Sequence, residues 1–193
     1  MAFLTPAATG EAAVLRNFIT NQFAQVRSTA FGLTDEQLHT RSTVSDFTIA
    51  ALLDHVGAVA EQYGVGIEAA GSGAAEYNEG MTEGAAEPVE GRAADDLLAG
   101  FDRRVSAFSD LLARVEAGEI ALDAHVPVPS APWFPPHLTY WEVRWVLNHV
   151  ATETARHAGH ADIIRESIDG KQSYELNDLA DGNEVRDWTA SAE

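Results

Sequence analysis

The stretch from residue 139 to 170, TYWEVRWVLNHVATETARHAGHADIIRESIDG, constrains the fold more than any other part of the chain. At about 100° per residue, Val143, Val146, Val150, Ala161, Ile164 and Ile168 fall on one stripe, so the segment reads as a single long helix with one face in a core. Thr139 and Glu142 match a capping box, in which the hydroxyl and the carboxylate each satisfy a backbone N–H left free at a helix start. Gly170 supplies a stop. On the shoulder of the stripe, within roughly 80° of one another, lie His149, Glu153, His157 and His160, where a plain packing helix carries Leu or Ala.

Three further segments share the helical period. Residues 10–30 space Leu15, Ile19, Phe23 and Val26 on one face, with Val14 and Phe18 beside them. After a short turn opened by a second capping-box match at Thr34 and Gln37, residues 47–70 place Ile49, Leu52, Val56, Val59 and Tyr63 on a buried side, with His55 at its edge. Residues 93–117 alternate Leu97 or Leu98, Phe101, Val105, Phe108, Leu112 and Val115. No segment shows a convincing strand alternation. The connection from Gly71 to Gly91 is rich in Gly, Ala and Glu and reads as long and mobile. The next, residues 118–138, carries five of the 7 prolines with Trp133 and Phe134 and reads as a stiff, extended crossover able to wall a pocket. The tail 171–193 is polar, with Tyr174, Leu176, Leu179 and Trp188 available to dock it. Together these predict an all-α four-helix bundle with long crossover loops, one domain over residues 1–193 with its core at about 10–170.

Composition narrows the function classes. A formal net charge of −18, from 30 acidic against 12 basic residues, repels phosphate backbones and anionic lipid, so no nucleic-acid or membrane partner is expected. No apolar run reaches the length of a membrane span, and no secretory signal opens the chain, which makes the cytoplasm the expected compartment. There is no cysteine; that excludes a thiol nucleophile and thiolate metal ligands and leaves His, Asp and Glu as the side chains able to hold an ion.

Glu153 and His157, four apart on a helix, can reach one ion. His55 is the best third ligand: two imidazoles and a carboxylate on three sides leave a position open for water or substrate. A single histidine at a core edge is more often a hydrogen-bonded packing residue, but a carboxylate flanked by three imidazoles is costly without a cation to compensate it. Other pairings share the spacing, since His149 with Glu153 is also i,i+4 and His157 with His160 is i,i+3. His160 and His149 are alternatively placed to face a substrate. Arg156 suits a substrate carboxylate or a salt bridge to an acid such as Glu153. Trp141 and Trp145 read as core. His39, His125 and His137 carry no supporting pattern.

The segments LLDHVG around His55 and RWVLNHVATETARHAGHADIIRESIDG from Arg144 to Gly170 resemble the DinB and YfiT-like metalloproteins, specifically the actinobacterial branch similar to the N-terminal domain of mycothiol-dependent maleylpyruvate isomerase. The resemblance extends over roughly residues 10–170 and implies His55, Glu153 and His157 as ligands of a divalent metal, zinc first and nickel second. Many members have His where this chain has Glu153, whereas the isomerase-like branch has Glu there, so the departure favours that branch. The resemblance further implies a low-molecular-weight thiol as cosubstrate, activated for S-transfer to, or isomerisation of, a small electrophile, and a homodimer. The physics agrees, because an open divalent position lowers the pKa of a bound thiol. The competing readings are a metal-dependent hydrolase using the same three ligands and a non-catalytic bundle that binds a metal or small molecule.

Overall fold

The structure is a computed structural model that describes residues 4–73, 89–128, 134–135 and 137–187. The long helices are α1 (Glu11–Ser28), α3 (Ile49–Ser72), α4 (Ala94–Glu116) and α5 (Val143–Asp169), with the short helix α2 (Asp35–Leu38) between the first two. All four periodic segments fold as helices, and the protein is an all-α bundle. The amphipathic stripes explain why: Ile19, Phe23 and Val26 of α1, Ile49, Leu52 and Val56 of α3, Phe101, Phe108 and Leu112 of α4, and Val143, Val146, Val150 and Ile164 of α5 are all withdrawn from solvent into one core. Phe23 sits at its centre, edge-on to Phe101 at 6.5 Å and to Phe108 at 5.9 Å. Phe18 departs from the expectation. It lies beyond the stripe and remains exposed.

Contacts fix the helix directions. Arg16 pairs with Glu116 and Arg27 with Asp102, so α1 and α4 are antiparallel. Asp54 meets Arg104 and Glu68 meets Arg114, so α3 and α4 are parallel neighbours. Arg144 reaches Glu11 while Arg165 bonds the carbonyls of Thr29 and Phe31, so α1 and α5 are parallel. Around the bundle the order is α1, α4, α3, α5. Parallel neighbours cannot be joined by a tight turn, which is the physical reason for the long connection between α3 and α4. Most of that connection, residues 74–88, and Trp133 of the proline-rich crossover lie outside the described residues. Gly57 and Gly64 face α4, where an added Cβ would come within 3.1 Å of Arg104 and 3.3 Å of Phe108, so the missing side chains set the α3–α4 separation; Gly71 faces Ile120, just beyond the end of α4, at 2.9 Å.

Three elements were absent from the sequence reading: two strands and a helix in the tail. Strands β1 (His125–Pro127) and β2 (Tyr140–Glu142) pair antiparallel with Val126 opposite Trp141, and their three-residue lengths carry no readable alternation. This pair also replaces the capping box expected at Thr139 and Glu142. Glu142 is the N-cap but makes no side-chain cap bond, and the N–H groups of Val143 and Arg144 donate instead to the carbonyls of Ala124 and Leu122, 3.0 and 2.9 Å away. The second box does form, with Gln37 N–H on the Thr34 hydroxyl and Thr34 N–H on the Gln37 side chain. In the tail, residues Ser173–Ala180 form helix α6, anchored by buried Leu176 and by reciprocal amide bonds between Asn177 and Gln25 of 2.8 and 3.0 Å. Tyr174 stays exposed, and Trp188 lies outside the described residues.

Arg165 tests the tie between α5 and the end of α1. It is 1% exposed and also holds Asp169 in a two-bond fork of 2.9 Å each. Arg165→Met strands two carbonyls and a carboxylate and is expected to lower the unfolding free energy by about 3 kcal/mol. Gly159→Ala, inside α5 with nothing within 4 Å of the new Cβ, is expected to raise it by about 0.5–1 kcal/mol. Urea unfolding of both variants reads the difference, and unchanged midpoints would contradict the assignment.

Candidate metal centre

The site is built by two helices that run in opposite directions. Thr48 caps α3 through its hydroxyl, which accepts the Ala51 N–H at 3.1 Å, and this fixes the first turns of the helix on which His55 sits. On α5, Glu153 and His157 stand one turn apart on the side facing α3. The antiparallel register brings His55 Nε2 to 3.1 Å from His157 Nε2 and to 3.7 Å from Glu153 Oε1, while His157 Nε2 and Glu153 Oε1 are 3.0 Å apart. A circle through three points so spaced has a radius of about 1.9 Å, which suits donors held at roughly 2.0–2.2 Å from a common centre. The side chains of His55, Glu153 and His157 are 32%, 28% and 11% exposed, so His157 forms the inner corner and the other two face an accessible side.

The protonation states match those of ligands. Burial works to raise the Glu153 pKa, yet the hydrogen bond from His157 and the fields of His157, His149 and His55 prevail and hold it below the usual range. Burial lowers the pKa of His157; the Glu153 contact opposes this, and repulsion from His55 and His160 adds to the lowering. The site therefore favours a carboxylate beside a neutral imidazole, the forms that bind a cation. A single imidazole proton shared between a carboxylate oxygen and an imidazole nitrogen serves the three converging atoms poorly, and His157 Nδ1 is buried without a partner among the described residues. A divalent cation satisfies all three lone pairs together, so the residues present fit such a group.

Of the pairings open in sequence, the structure brings together His55, Glu153 and His157; among the described residues this is the group of donors that converges. His149 lies outside it, its ring stacked on Trp145 at 5.3 Å and edge-on to Tyr63 at 5.1 Å. His160 also lies outside it and meets Phe47 at 5.5 Å. Arg156 is exposed and, among the described residues, forms no salt bridge to Glu153 or another acid. Trp141 is buried as expected, whereas Trp145 is 44% exposed, because the bundle core ends on the inner side of α5 and leaves this ring beyond it. Sequence reasoning missed Phe47, whose ring centre lies 6.0, 5.8 and 5.5 Å from those of His55, His157 and His160. The available signal was a large apolar residue directly before an N-cap threonine, the position of a hydrophobic staple.

Asp162, further along α5, was also missed. Burial, with repulsion from Glu166, lifts its carboxyl from 3.8 to about 6, and its Oδ1 is buried without a hydrogen bond among the described residues. A folded-state pKa above the unfolded value means that stability falls as pH rises through the window from 3.8 to about 6, with the full penalty above it. Asp162→Asn is expected to raise the unfolding free energy at pH 7 by on the order of 1 kcal/mol, discounted for partial exposure, and to give no gain at pH 3.5. Denaturant titrations at the two pH values check this; an equal effect at both would contradict it.

A family model described as mycothiol-S-transferase matches residues 14–170, a span that runs from α1 to the end of α5 and includes all three converging donors. Neither the curated proteins nor the solved structures contain a match. With the match covering well over half of the chain, the protein belongs to the mycothiol S-transferase family, within the DinB/YfiT-like actinobacterial group.

Proposed function

We propose that this protein is an enzyme that transfers a mycothiol-type thiol to a small electrophile, or isomerises one through it, and that His55, Glu153 and His157 hold the divalent metal it requires. The observation that carries the metal part is the convergence of two imidazole nitrogens and one carboxylate oxygen with one accessible side. The family match supports the thiol part. When bound, a divalent ion supplies positive charge that lowers the pKa of a thiol at its open side. Zinc is the first choice and nickel the alternative, since imidazole and carboxylate donors suit both.

The chain's own residues divide the remaining work. Glu153 offsets one charge of the ion, and His55 and His157 hold it between α3 and α5. In substitution, the sulfur–carbon bond forms as the bond to the leaving group breaks, and the thiol proton is released. His149 and His160, the flanking imidazoles, are the candidates to receive it. Arg156, exposed and unpaired among the described residues, is available to a carboxylate on the electrophile. Phe47 shields the donors with an apolar ring. With no cysteine in the chain, the nucleophilic sulfur comes from the cosubstrate. We also propose a cytoplasmic, single-domain protein that pairs as a homodimer through exposed rings such as Phe18 and Phe31. Among the described residues no helix is long and apolar enough to cross a membrane.

Mycothiol with a panel of electrophiles separates the readings: a hydrolase turns over without thiol, and a binding protein turns over in neither case. In chelator, wild type is expected to melt roughly 5–10 °C lower than with the metal at a hundredfold excess over Kd, the equivalent of about 2.7 kcal/mol of binding. Glu153→Gln and His55→Ala are expected to melt alike with and without chelator. Wild type that carries no metal, takes none up and melts identically in both buffers would contradict the proposal.

A further inference from the structure

The stripe of α3 that meets α4 runs Asp54, Gly57, Glu61, Gly64 and Glu68, acids and glycines at helical spacing. The glycines let the two helices approach closely, but a surface without side chains offers no ridge to mark a position along the axis. The ring of Phe108 over Gly64, and the apolar side chains of α3 that turn into the core beside this stripe, hold the pair through many small dispersion contacts. Each of those weakens gradually as the helices slide. A charged hydrogen bond is more exacting, because it needs a distance near 3 Å and a narrow range of angles. The ion pairs of the stripe are therefore its sharpest markers of register.

Those pairs are unequal. The side chains of Glu61 and Glu68, paired with Arg104 and Arg114, are 61% and 54% exposed, where water screens them and leaves them little hold. The side chain of Asp54 is 1% exposed, and its Oδ1 accepts from Arg92 and from Arg104 at 3.1 Å each. Arg92 is itself anchored, since its carbonyl accepts from His39 Nε2 at 2.9 Å, and two residues on the Ala94 N–H donates to the Asp35 carboxylate at 2.8 Å. The second oxygen of Asp54 is buried without a hydrogen bond among the described residues. As a source of stability such a cluster is poor, because apolar side chains of similar volume fill a buried site at least as well; what it supplies is a fixed point. The residue that follows this point in the chain is His55.

We propose that Asp54 is a positioning residue for the candidate metal centre: pinned by Arg92 and Arg104, it sets the register of α3 against α4 and with it the place where His55 meets Glu153 and His157. A slip of one residue along α3 shifts a side chain by about 1.5 Å and turns it by about 100°, enough to take His55 Nε2 away from its 3.1 Å approach to His157 Nε2. The tie to a metal rests on the function proposed above; the register itself needs no ion.

The test compares full-length wild type with a triple variant, Asp54→Leu with Arg92→Met and Arg104→Met, with the single variant Asp54→Asn, and with Glu68→Gln/Arg114→Gln at the far end of the same stripe. Three quantities are read: the urea midpoint, zinc affinity by calorimetry, and, in metal-free protein, the nuclear Overhauser cross-peaks between the rings of His55 and His157, whose centres lie 4.5 Å apart in the structure. The triple variant is expected to unfold at the wild-type urea concentration or above, yet to lose the cross-peaks and bind zinc at least about tenfold more weakly. Asp54→Asn keeps the shape and an acceptor but strands two guanidiniums, so it is expected to unfold at lower urea while keeping the cross-peaks and a zinc affinity within about threefold of wild type. The variant at Glu68 and Arg114 is expected to match wild type in cross-peaks and zinc affinity. A triple variant that keeps the cross-peaks and the zinc affinity would overturn the proposal. So would one that fails to fold, since the cluster would then be a plain stabiliser. Cross-peaks lost in the triple variant of a protein whose wild type binds no zinc would sink the metal reading and leave the register role of Asp54 standing.

Discussion

The antiparallel register of α3 against α5 is the constraint on which the rest depends, because it puts three lone-pair donors within 3.0 to 3.7 Å of one another. Two contacts hold it. His55 meets His157, and two turns further along each helix, in opposite directions, Tyr63 meets His149. A slip of one residue would rotate each side chain about 100° away and disperse the set. The bundle's other interfaces serve this one: the glycine face of α3 seats it closely on α4, and the phenylalanines around Phe23 fill the centre.

Buried polarity elsewhere in the molecule contrasts with the candidate centre. Arg165 spreads its donors over two carbonyls and Asp169, Asn177 and Gln25 satisfy each other, and Asp54 lies between Arg92 and Arg104. Each of these clusters carries its own counter-charge or complementary partner. The set at His55, Glu153 and His157 converges on one point with a shared imidazole proton as its internal donor. Donor-poor convergence of this kind is stable when a cation fills it, which is why the geometry supports a metal more than it supports a packing cluster.

Most of the fold was legible because four segments repeat their apolar residues at the helical period, and the i,i+4 spacing of Glu153 and His157 is itself a statement about one helix face. His55 was legible for a similar reason: it stands where its helix's buried side ends. What could not be read depended on partners distant in sequence. Periodicity gives an angle around a helix but not the neighbour at that angle, so the exposure of Trp145 and the stacking of His149 were hidden. The start of α5 is capped by carbonyls of Leu122 and Ala124, about twenty residues upstream, and no local capping motif records this. Phe47 sits in an irregular loop held by Ser45 and Thr43, where no period marks it as part of the site. Helix α6 is too short and polar to announce itself, and its docking depends on buried Leu176 and an amide pair with α1.

X-ray absorption of the metal-loaded protein, with and without thiol, tests the central claim most directly. The account predicts that the ion is surrounded by two imidazole nitrogens and a carboxylate oxygen at about 2.0–2.2 Å, and that a sulfur neighbour near 2.3 Å appears only when thiol is added. With no cysteine in the chain, that sulfur has the thiol as its natural source. A spectrum without imidazole scattering, or one unchanged by saturating thiol, would contradict it.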